Sequence, residues 1–210
     1  MPGNYQIIEL PSRAVILKNG DDALLLGGGV PPLQLEKDVR AHVSRLDGII
    51  LPCEHADRMR GLYAVGKKLQ VPIIGQFHPI LYMMIGVFQK RLPPPGMLRG
   101  LTDEHPQSVC GPFTIDSFPV RYDSMSPCGW RIVCRGESIG VVLDGKTTEA
   151  SLPGLKSCDE LLFGNCSKEC DVFGSFAEKR KKSVSPTVAE QQTFLRENQI
   201  SAPYRILSLR

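Results

Sequence analysis

The stretch Leu46–Gly75, LDGIILPCEHADRMRGLYAVGKKLQVPIIG, decides the fold of this chain of 210 residues. A short apolar run, Gly48–Leu51, ends at Pro52, and a cluster of charged and metal-capable side chains follows at once. Met59–Leu69 then carries apolar residues at helical spacing, and Val71–Gly75 is a second apolar run. Strand, polar loop, helix and strand make a βαβ unit, and such units place their chemistry in loops at the carboxyl ends of strands. The sequence therefore predicts an α/β fold with a functional loop directly after the first of these strands.

The composition is typical of a globular protein with a sizeable core. Hydrophobic residues make up 42% of the chain and charged residues 22%, and the net charge of +3 is too small to indicate a nucleic-acid or membrane partner by itself. No apolar run approaches the ~18 residues of a membrane-spanning helix, and the N-terminus lacks the pattern of a secretory signal. Seven cysteines without a CxxC pair favour a reduced compartment, and we expect a cytoplasmic protein with no membrane partner.

The other elements follow from apolar periodicity and turn residues. Before the central unit, the sequence predicts three strands and one helix: Tyr5–Glu9, Ala14–Leu17, Ala23–Leu26 and the helix Leu35–Leu46. After it, an apolar helix is predicted over His78–Leu92, followed by a polar connection to Cys110. The remaining predicted elements are the strands Phe113–Phe118, Val120–Tyr122, Trp130–Cys134, Ile139–Leu143 and Glu160–Phe163, the helix Thr187–Asn198 and the strand Tyr204–Leu209.

Several of these segments resemble the metallo-β-lactamase superfamily, and especially its RNA- and DNA-processing branch. Asp47–Gly61 is similar to the family signature, in which an aspartate and an apolar strand lead into His-x-His-x-Asp-His. Gly61–Leu69 and Val71–Gly75 resemble the segment after that motif in ribonuclease J and the pre-mRNA cleavage subunits, and Gly111–Ile115 resembles their "G-(P/D)-F-x-(V/I)" strand. Thr187–Leu209 looks like the helix and strand that close a ribonuclease Z domain. The resemblance covers essentially the whole chain and implies one domain, residues 1–210, with a four-layer αβ/βα sandwich.

The resemblance also implies where the metal-binding residues of the family fall in this chain. In the motif, the first histidine is replaced by Cys53, the second is kept as His55, the aspartate is kept as Asp57, and the last histidine is replaced by Arg58. An aspartate that the family carries before the motif is lost at Gly27, within the triple glycine that ends the third strand. Two of the three motif histidines are therefore missing.

The later ligand positions are changed as well. The family's later-loop histidine falls at Asp123, and its bridging aspartate is matched by Asp144. The closing histidine falls near Leu209, beside Ser208, so it is absent.

When these positions are assigned to the two metal sites of the family, the first site keeps residues that can bind a metal and the second does not. The first implied site consists of four residues that can all bind Zn²⁺: Cys53, His55, Asp123 and Asp144. The second site would use Asp57 and Asp144 together with Arg58 and position 209, but a guanidinium cannot bind a metal and leucine has no donor atom. We therefore predict that the second metal is lost and that Arg58 pairs with Asp57 or Asp144 instead. The cofactor content expected from the sequence is none, or one zinc.

Two functions remain open at this point. The first is a degenerate, non-catalytic binding or scaffold subunit related to RNA-processing hydrolases, with a protein or a nucleic acid as its partner. In this interpretation Arg58 neutralises the carboxylates, His55 is simply hydrogen-bonded and Cys53 packs as a small hydrophobic residue. The alternative is a mononuclear zinc hydrolase that acts on phosphoesters or nucleic acid, with Asp57 and His55 as its catalytic residues.

Two further features have both a structural and a functional interpretation. Cys53 could act as a nucleophile with His55 two positions away, although side chains so placed on one loop usually diverge. The basic run Lys179–Lys182 is typical of a solvated helix face, and contact with phosphate groups is the alternative.

Overall fold

The computed structural model describes residues 5–88, 93–164 and 187–207, which form two six-stranded sheets. The strands of the first sheet lie side by side in chain order: β1 (Tyr5–Glu9), β2 (Val15–Asn19), β3 (Asp22–Leu26), β4 (Gly48–Leu51), β5 (Ile73–Gln76) and β6 (Leu98–Leu101). The strands of the second sheet also neighbour one another in sequence: β7 (Gln107–Cys110), β8 (Phe113–Pro119), β9 (Cys128–Cys134), β10 (Glu137–Val142), β11 (Glu160–Gly164) and β12 (Tyr204–Leu207).

Each sheet is antiparallel at one side and parallel at the other. Strands β1 to β3 pair antiparallel, whereas β3 to β6 are parallel. In the second sheet β7 to β10 pair antiparallel, whereas β10, β11 and β12 are parallel. The parallel strands of each sheet end at one edge, and the loops that follow β3, β4 and β10 begin there.

Helices cover the outer face of both sheets. They are α1 (Pro32–Arg40), α2 (Ala56–Met59), α3 (Leu62–Leu69), α4 (Phe77–Phe88), α5 (Leu152–Lys156) and α6 (Val188–Glu197), with a short 3₁₀ turn at Glu149–Ser151. Apolar residues of α1, α3 and α4 pack against the first sheet, and those of α5 and α6 pack against the second. Among the described residues, no helix is long and apolar enough to span a membrane.

The two sheets bury a third apolar cluster between their inner faces. It joins Leu24, Ile50 and Ile74 of the first sheet to Ile132 and Val141 of the second. Helix, sheet, sheet and helix make the four-layer αβ/βα sandwich that the sequence predicted. Seven apolar residues of the predicted strands are all buried: Ile49, Ile50, Leu51, Ile73, Val141, Val142 and Leu162.

The structure corrects two helix predictions. The helix predicted over Leu35–Leu46 ends at Arg40, since the chain must turn there to enter β4. Val43 and Leu46 are still buried against the first sheet, which explains why their spacing was mistaken for helix. The predicted helix Met59–Leu69 is not continuous. Met59 is the last residue of α2, and α3 begins at Leu62.

The structure also corrects the strand predictions around the second sheet. Val120–Tyr122 is not a strand, because only Arg121 forms an isolated bridge, to Lys146. The connection before Cys110, predicted to be irregular, contains β6 and β7, two short strands with several exposed residues at the sheet edges. Residues 89–92, the basic run Lys179–Lys182, Ser208 and Leu209 lie outside the described residues.

Candidate functional site

The loop after β4 meets the loop after β10 at one edge of the two sheets. Cys53 and His55 lie on the first loop, and Arg58 follows in α2. Asp144 lies two residues after the end of β10. This is the edge at which open α/β sheets place functional residues.

Arg58 and Asp144 form a buried, bidentate ion pair at the centre of this region. Arg58 Nε donates to Asp144 Oδ2 at 2.8 Å and Nη2 donates to Oδ1 at 2.6 Å. The third nitrogen, Nη1, donates to the backbone carbonyl of Arg13 at 2.9 Å. Side-chain exposure is 1% for Arg58 and 4% for Asp144. Burial opposes the charged form of Arg58, but the Asp144 carboxylate outweighs it, so the pKa of Arg58 lies above its ordinary value.

The triple glycine after β3 holds the backbone of Arg58 in place. Gly28 N donates to the Arg58 carbonyl at 2.8 Å, and Gly61 N donates to the Gly28 carbonyl at 3.2 Å. A Cβ atom on Gly29 would lie 2.0 Å from the carbonyl oxygen of Asp57. Only a residue without a side chain permits this approach, so the triple glycine packs the loop after β3 onto α2.

Cys53 is a buried, neutral thiol. Its environment raises the pKa of the thiol well above its ordinary value, first through burial and then through the nearby Asp144 carboxylate. The metal-binding and nucleophilic form of cysteine is the thiolate. In the absence of a metal ion, the protonated thiol of Cys53 is therefore a poor nucleophile.

His55 and Asp57 each keep buried atoms that lack a hydrogen-bond partner among the described residues. His55 Nδ1 lies 3.3 Å from the Tyr122 hydroxyl, and the two rings meet edge to face, while His55 Nε2 is unpartnered. Neither carboxylate oxygen of Asp57 has a hydrogen bond within the described part of the chain, although Arg13 Nη1 approaches Oδ2 to 3.7 Å. Arg13 has φ of 57°.

Glu54 ties the loop before β9 to the motif. Its carboxylate accepts hydrogen bonds from the Ser124 hydroxyl at 2.8 Å and from the Met125 backbone N–H at 3.0 Å. Tyr122 of the same loop contacts His55, so the segment that contains Asp123 is held against the motif loop.

A small pocket opens between the motif loop and the second sheet. It has room for about one water molecule, and its lining residues include Cys53, Tyr122, Ser124, Trp130 and Asp144. Cys53 and Asp144 therefore meet at one pocket although they are distant in sequence.

These residues do not fit a metal centre as they stand. The Asp144 carboxylate, which the resemblance assigns to both metals, has both oxygens bound to Arg58. Where the structure describes the chain, no group of three or more histidine, cysteine, aspartate or glutamate side chains is arranged to hold a metal ion. Metal binding by Cys53, His55, Asp57, Asp123 and Asp144 stays a prediction, as does catalysis by His55 and Asp57.

The sequence did not predict the contacts that three residues make in this region: Arg13, Glu54 and Tyr122. Glu54 and Tyr122 lie next to candidate ligands in the sequence. No spacing in the sequence predicts their contacts, because each contacts a loop that is distant in the chain. Arg13 lies in the turn between β1 and β2, and only its left-handed backbone conformation marks it as unusual.

Comparisons with known proteins give a fold but no close relative. No protein-family model matches the sequence, and no curated protein matches it. Among solved structures, the short form of human tRNase Z is 14% identical, with a TM-score of 0.59 over 92% of this chain and 84% of that one. A diphosphatase of the PhnP family is 14% identical, with a TM-score of 0.63 over 92% of this chain and 72% of that one. The metallo-β-lactamase fold protein YhfI from Bacillus subtilis is 18% identical, with a TM-score of 0.54 over 93% of this chain and 88% of that one.

Proposed function

Because this chain has the metallo-β-lactamase fold and a buried ion pair in its motif region, we propose that it is a non-catalytic binding or scaffold subunit. The observation that carries the proposal is the bidentate contact between Arg58 and Asp144. The guanidinium supplies the positive charge that a metal would otherwise bring to this carboxylate. Asp144 is thereby neutralised without a metal ion.

Chemistry at the neighbouring positions supports the same proposal. The Cys53 thiol stays protonated near neutral pH because burial and Asp144 raise its pKa. Hydrolysis by this fold, as the resemblance implies it, depends on a metal-activated water. Arg58 cannot bind a metal, since its guanidinium is permanently charged and has no acceptor.

The proposed relationship is to RNA-processing hydrolases, and tRNase Z is one of the solved structures with the same fold. We favour a protein partner over a nucleic acid. The net charge of +3 is small for a protein that must neutralise a run of phosphates. Binding of single-stranded and hairpin RNA, measured by fluorescence anisotropy at two salt concentrations, distinguishes these partners, and salt-dependent RNA binding would favour the nucleic acid.

Metal content and hydrolysis test the proposal directly. We expect protein purified without chelator to carry far less than one zinc per chain, and to leave bis(p-nitrophenyl) phosphate unhydrolysed with added Zn²⁺ or Mn²⁺. One zinc per chain, together with hydrolysis that is lost in Asp57→Ala and His55→Ala, would replace the proposal with the mononuclear hydrolase. Both variants must first be shown to fold, by circular dichroism.

A further inference from the structure

A cleft opens on the outer face of the second sheet, beside β8, β9 and helix α5. Its volume is about 510 Å³, which lies in the range of small-molecule sites. Phe118 of β8 lines this cleft and also belongs to the apolar cluster that the second sheet forms with α5 and α6. The cleft shares no lining residue with the small pocket of the motif region, so it is a separate cavity.

Much of the cleft wall is apolar, with Phe118, Pro119, Ala150 and Pro153 among the lining residues. The Phe118 ring lies directly against α5, because a Cβ atom on Gly154 would be only 2.5 Å from it. This approach requires a residue without a side chain at position 154. The prolines add backbone whose φ is fixed. The apolar wall is therefore formed without a ligand.

Asp116 and Arg131 are the two charged residues among those that line the cleft. They lie directly opposite each other on β8 and β9, and Arg131 Nη1 approaches Asp116 Oδ2 to 3.3 Å. Gln107 Nε2 donates to the same oxygen at 3.1 Å. Asp116 Oδ1 and Arg131 Nε are buried and have no hydrogen-bond partner within the described part of the chain. This ion pair is therefore less complete than the bidentate pair of Arg58 and Asp144.

We propose that the cleft binds a free α-amino acid with an apolar side chain, in its zwitterionic form. The carboxylate of the ligand pairs with Arg131, its ammonium group pairs with Asp116, and its side chain packs against Phe118. Both charged groups of an α-amino acid are attached to one carbon atom, so they match a guanidinium and a carboxylate that face each other on neighbouring strands. Side-chain exposure of 29% for Arg131 and 20% for Asp116 leaves both within reach of a ligand in the cleft.

The charges of the cleft favour a zwitterion over other small ligands. A ligand with a net charge is attracted to one of the two residues and repelled by the other. A neutral amide could supply a donor and an acceptor, but it would lack the attraction between opposite charges. A zwitterion supplies an acceptor for Arg131 and a donor for Asp116, and each of these residues has a buried polar atom without a partner. This inference does not depend on the proposed function of the motif region, and either can fail without the other.

Calorimetric titration of the full chain tests the proposal. We expect L-leucine or L-phenylalanine to bind with a dissociation constant of about 1 mM or lower. Two analogues of each amino acid lack one charge: the amide has no carboxylate, and the acid without the amino group has no ammonium. Both should bind about tenfold more weakly or worse, because each leaves one charged residue of the cleft unmatched. Failure of both amino acids to bind at about 10 mM would overturn the proposal, and so would analogues that bind as tightly as the amino acid.

Two substitutions test whether the ligand binds in this cleft. Asp116→Asn and Arg131→Gln each remove one charge and keep a polar side chain, and each should raise the dissociation constant about tenfold or more. The matched control is Arg40→Gln, since Arg40 forms an exposed ion pair with Glu36 on α1, and it should bind as the parent does. Circular dichroism checks that each variant folds. Parent-like affinity in a folded Asp116→Asn or Arg131→Gln protein would overturn the proposal. If neither variant folds, the analogue series on the parent decides.

Discussion

Arg58 and Asp144, 86 positions apart in the chain, bind each other through two parallel hydrogen bonds of 2.8 and 2.6 Å. The pair joins α2, which follows β4 of the first sheet, to the loop after β10 of the second sheet. It therefore fixes the relative position of the two halves of the sandwich at the edge where the candidate site lies. Each partner is buried, so each depends on the other for its charge balance.

Removal of Arg58 should destabilise the protein strongly. We expect Arg58→Ala to lower the free energy of unfolding by about 3–5 kcal/mol, because Asp144 would be left as an uncompensated buried charge. The double variant Arg58→Met with Asp144→Leu should lose less than Arg58→Ala, since no charge is left unpaired. Urea unfolding of the single and double variants measures this coupling.

The control for this series is Arg60→Ala, an exposed arginine two residues further on, which should change stability by about 0.5 kcal/mol or less. An Arg58→Ala protein as stable as the parent would remove the main physical support for a metal-free site.

The sequence predicted that Arg58 pairs with either Asp57 or Asp144, and it could not decide between the two. Asp57 and Asp144 were equivalent candidates for Arg58, because the motif gives their type but not the direction of their side chains. The position of the guanidinium decides between them: the Asp144 carboxylate accepts two hydrogen bonds from Arg58, whereas Asp57 lies near Arg13. Patterns of apolar residues were sufficient for the layers of the fold, since strands such as Gly48–Leu51 are buried on both faces. They were not sufficient for β6 and β7, whose partly exposed edge positions lack a regular apolar pattern.

Gly29→Ala should disturb the motif region even though no charged group is removed. An added Cβ would lie 2.0 Å from the Asp57 carbonyl oxygen, so the loop after β3 must separate from α2. We expect a loss of about 3 kcal/mol in the free energy of unfolding. Gly86→Ala is the matched control, because its Cβ meets nothing within 4 Å among the described residues. It should be neutral or slightly stabilising. Equal effects at the two positions would contradict the close packing at Gly29.

Chelation should leave the parent protein unchanged. With the positive charge of Arg58 already at Asp144, neither EDTA nor added Zn²⁺ should shift the melting temperature. The double variant Cys53→His with Arg58→His restores two of the family's histidines next to His55, and we expect Zn²⁺ to stabilise it. At 100 times the dissociation constant, the expected rise in melting temperature is about 5–10 °C. A parent protein that Zn²⁺ stabilises equally would indicate a working zinc site, and an unresponsive double variant would show that the motif no longer has the family's geometry.

Alkaline pH should destabilise the fold through its buried thiols. Burial raises the pKa of Cys158 to about 11 and that of Cys110 to about 12. An unfolded chain releases these protons near pH ~8.5, whereas the folded chain retains them up to the raised values. The unfolded state therefore binds fewer protons above pH ~8.5, and the linkage relation makes stability fall as pH rises through this window. Below it, the contribution of these thiols is fully present.

We expect each thiol to account for a loss of about 2 kcal/mol between neutral pH and pH ~10. Urea unfolding under reducing conditions, at the two pH values, should show a fall that is smaller by about this amount in Cys158→Ala than in the parent. The control Ser44→Ala, at an exposed position in the loop before β4, removes no titrating group and should follow the parent. A Cys158→Ala protein with the same pH dependence as the parent would mean that Cys158 does not titrate differently in the two states.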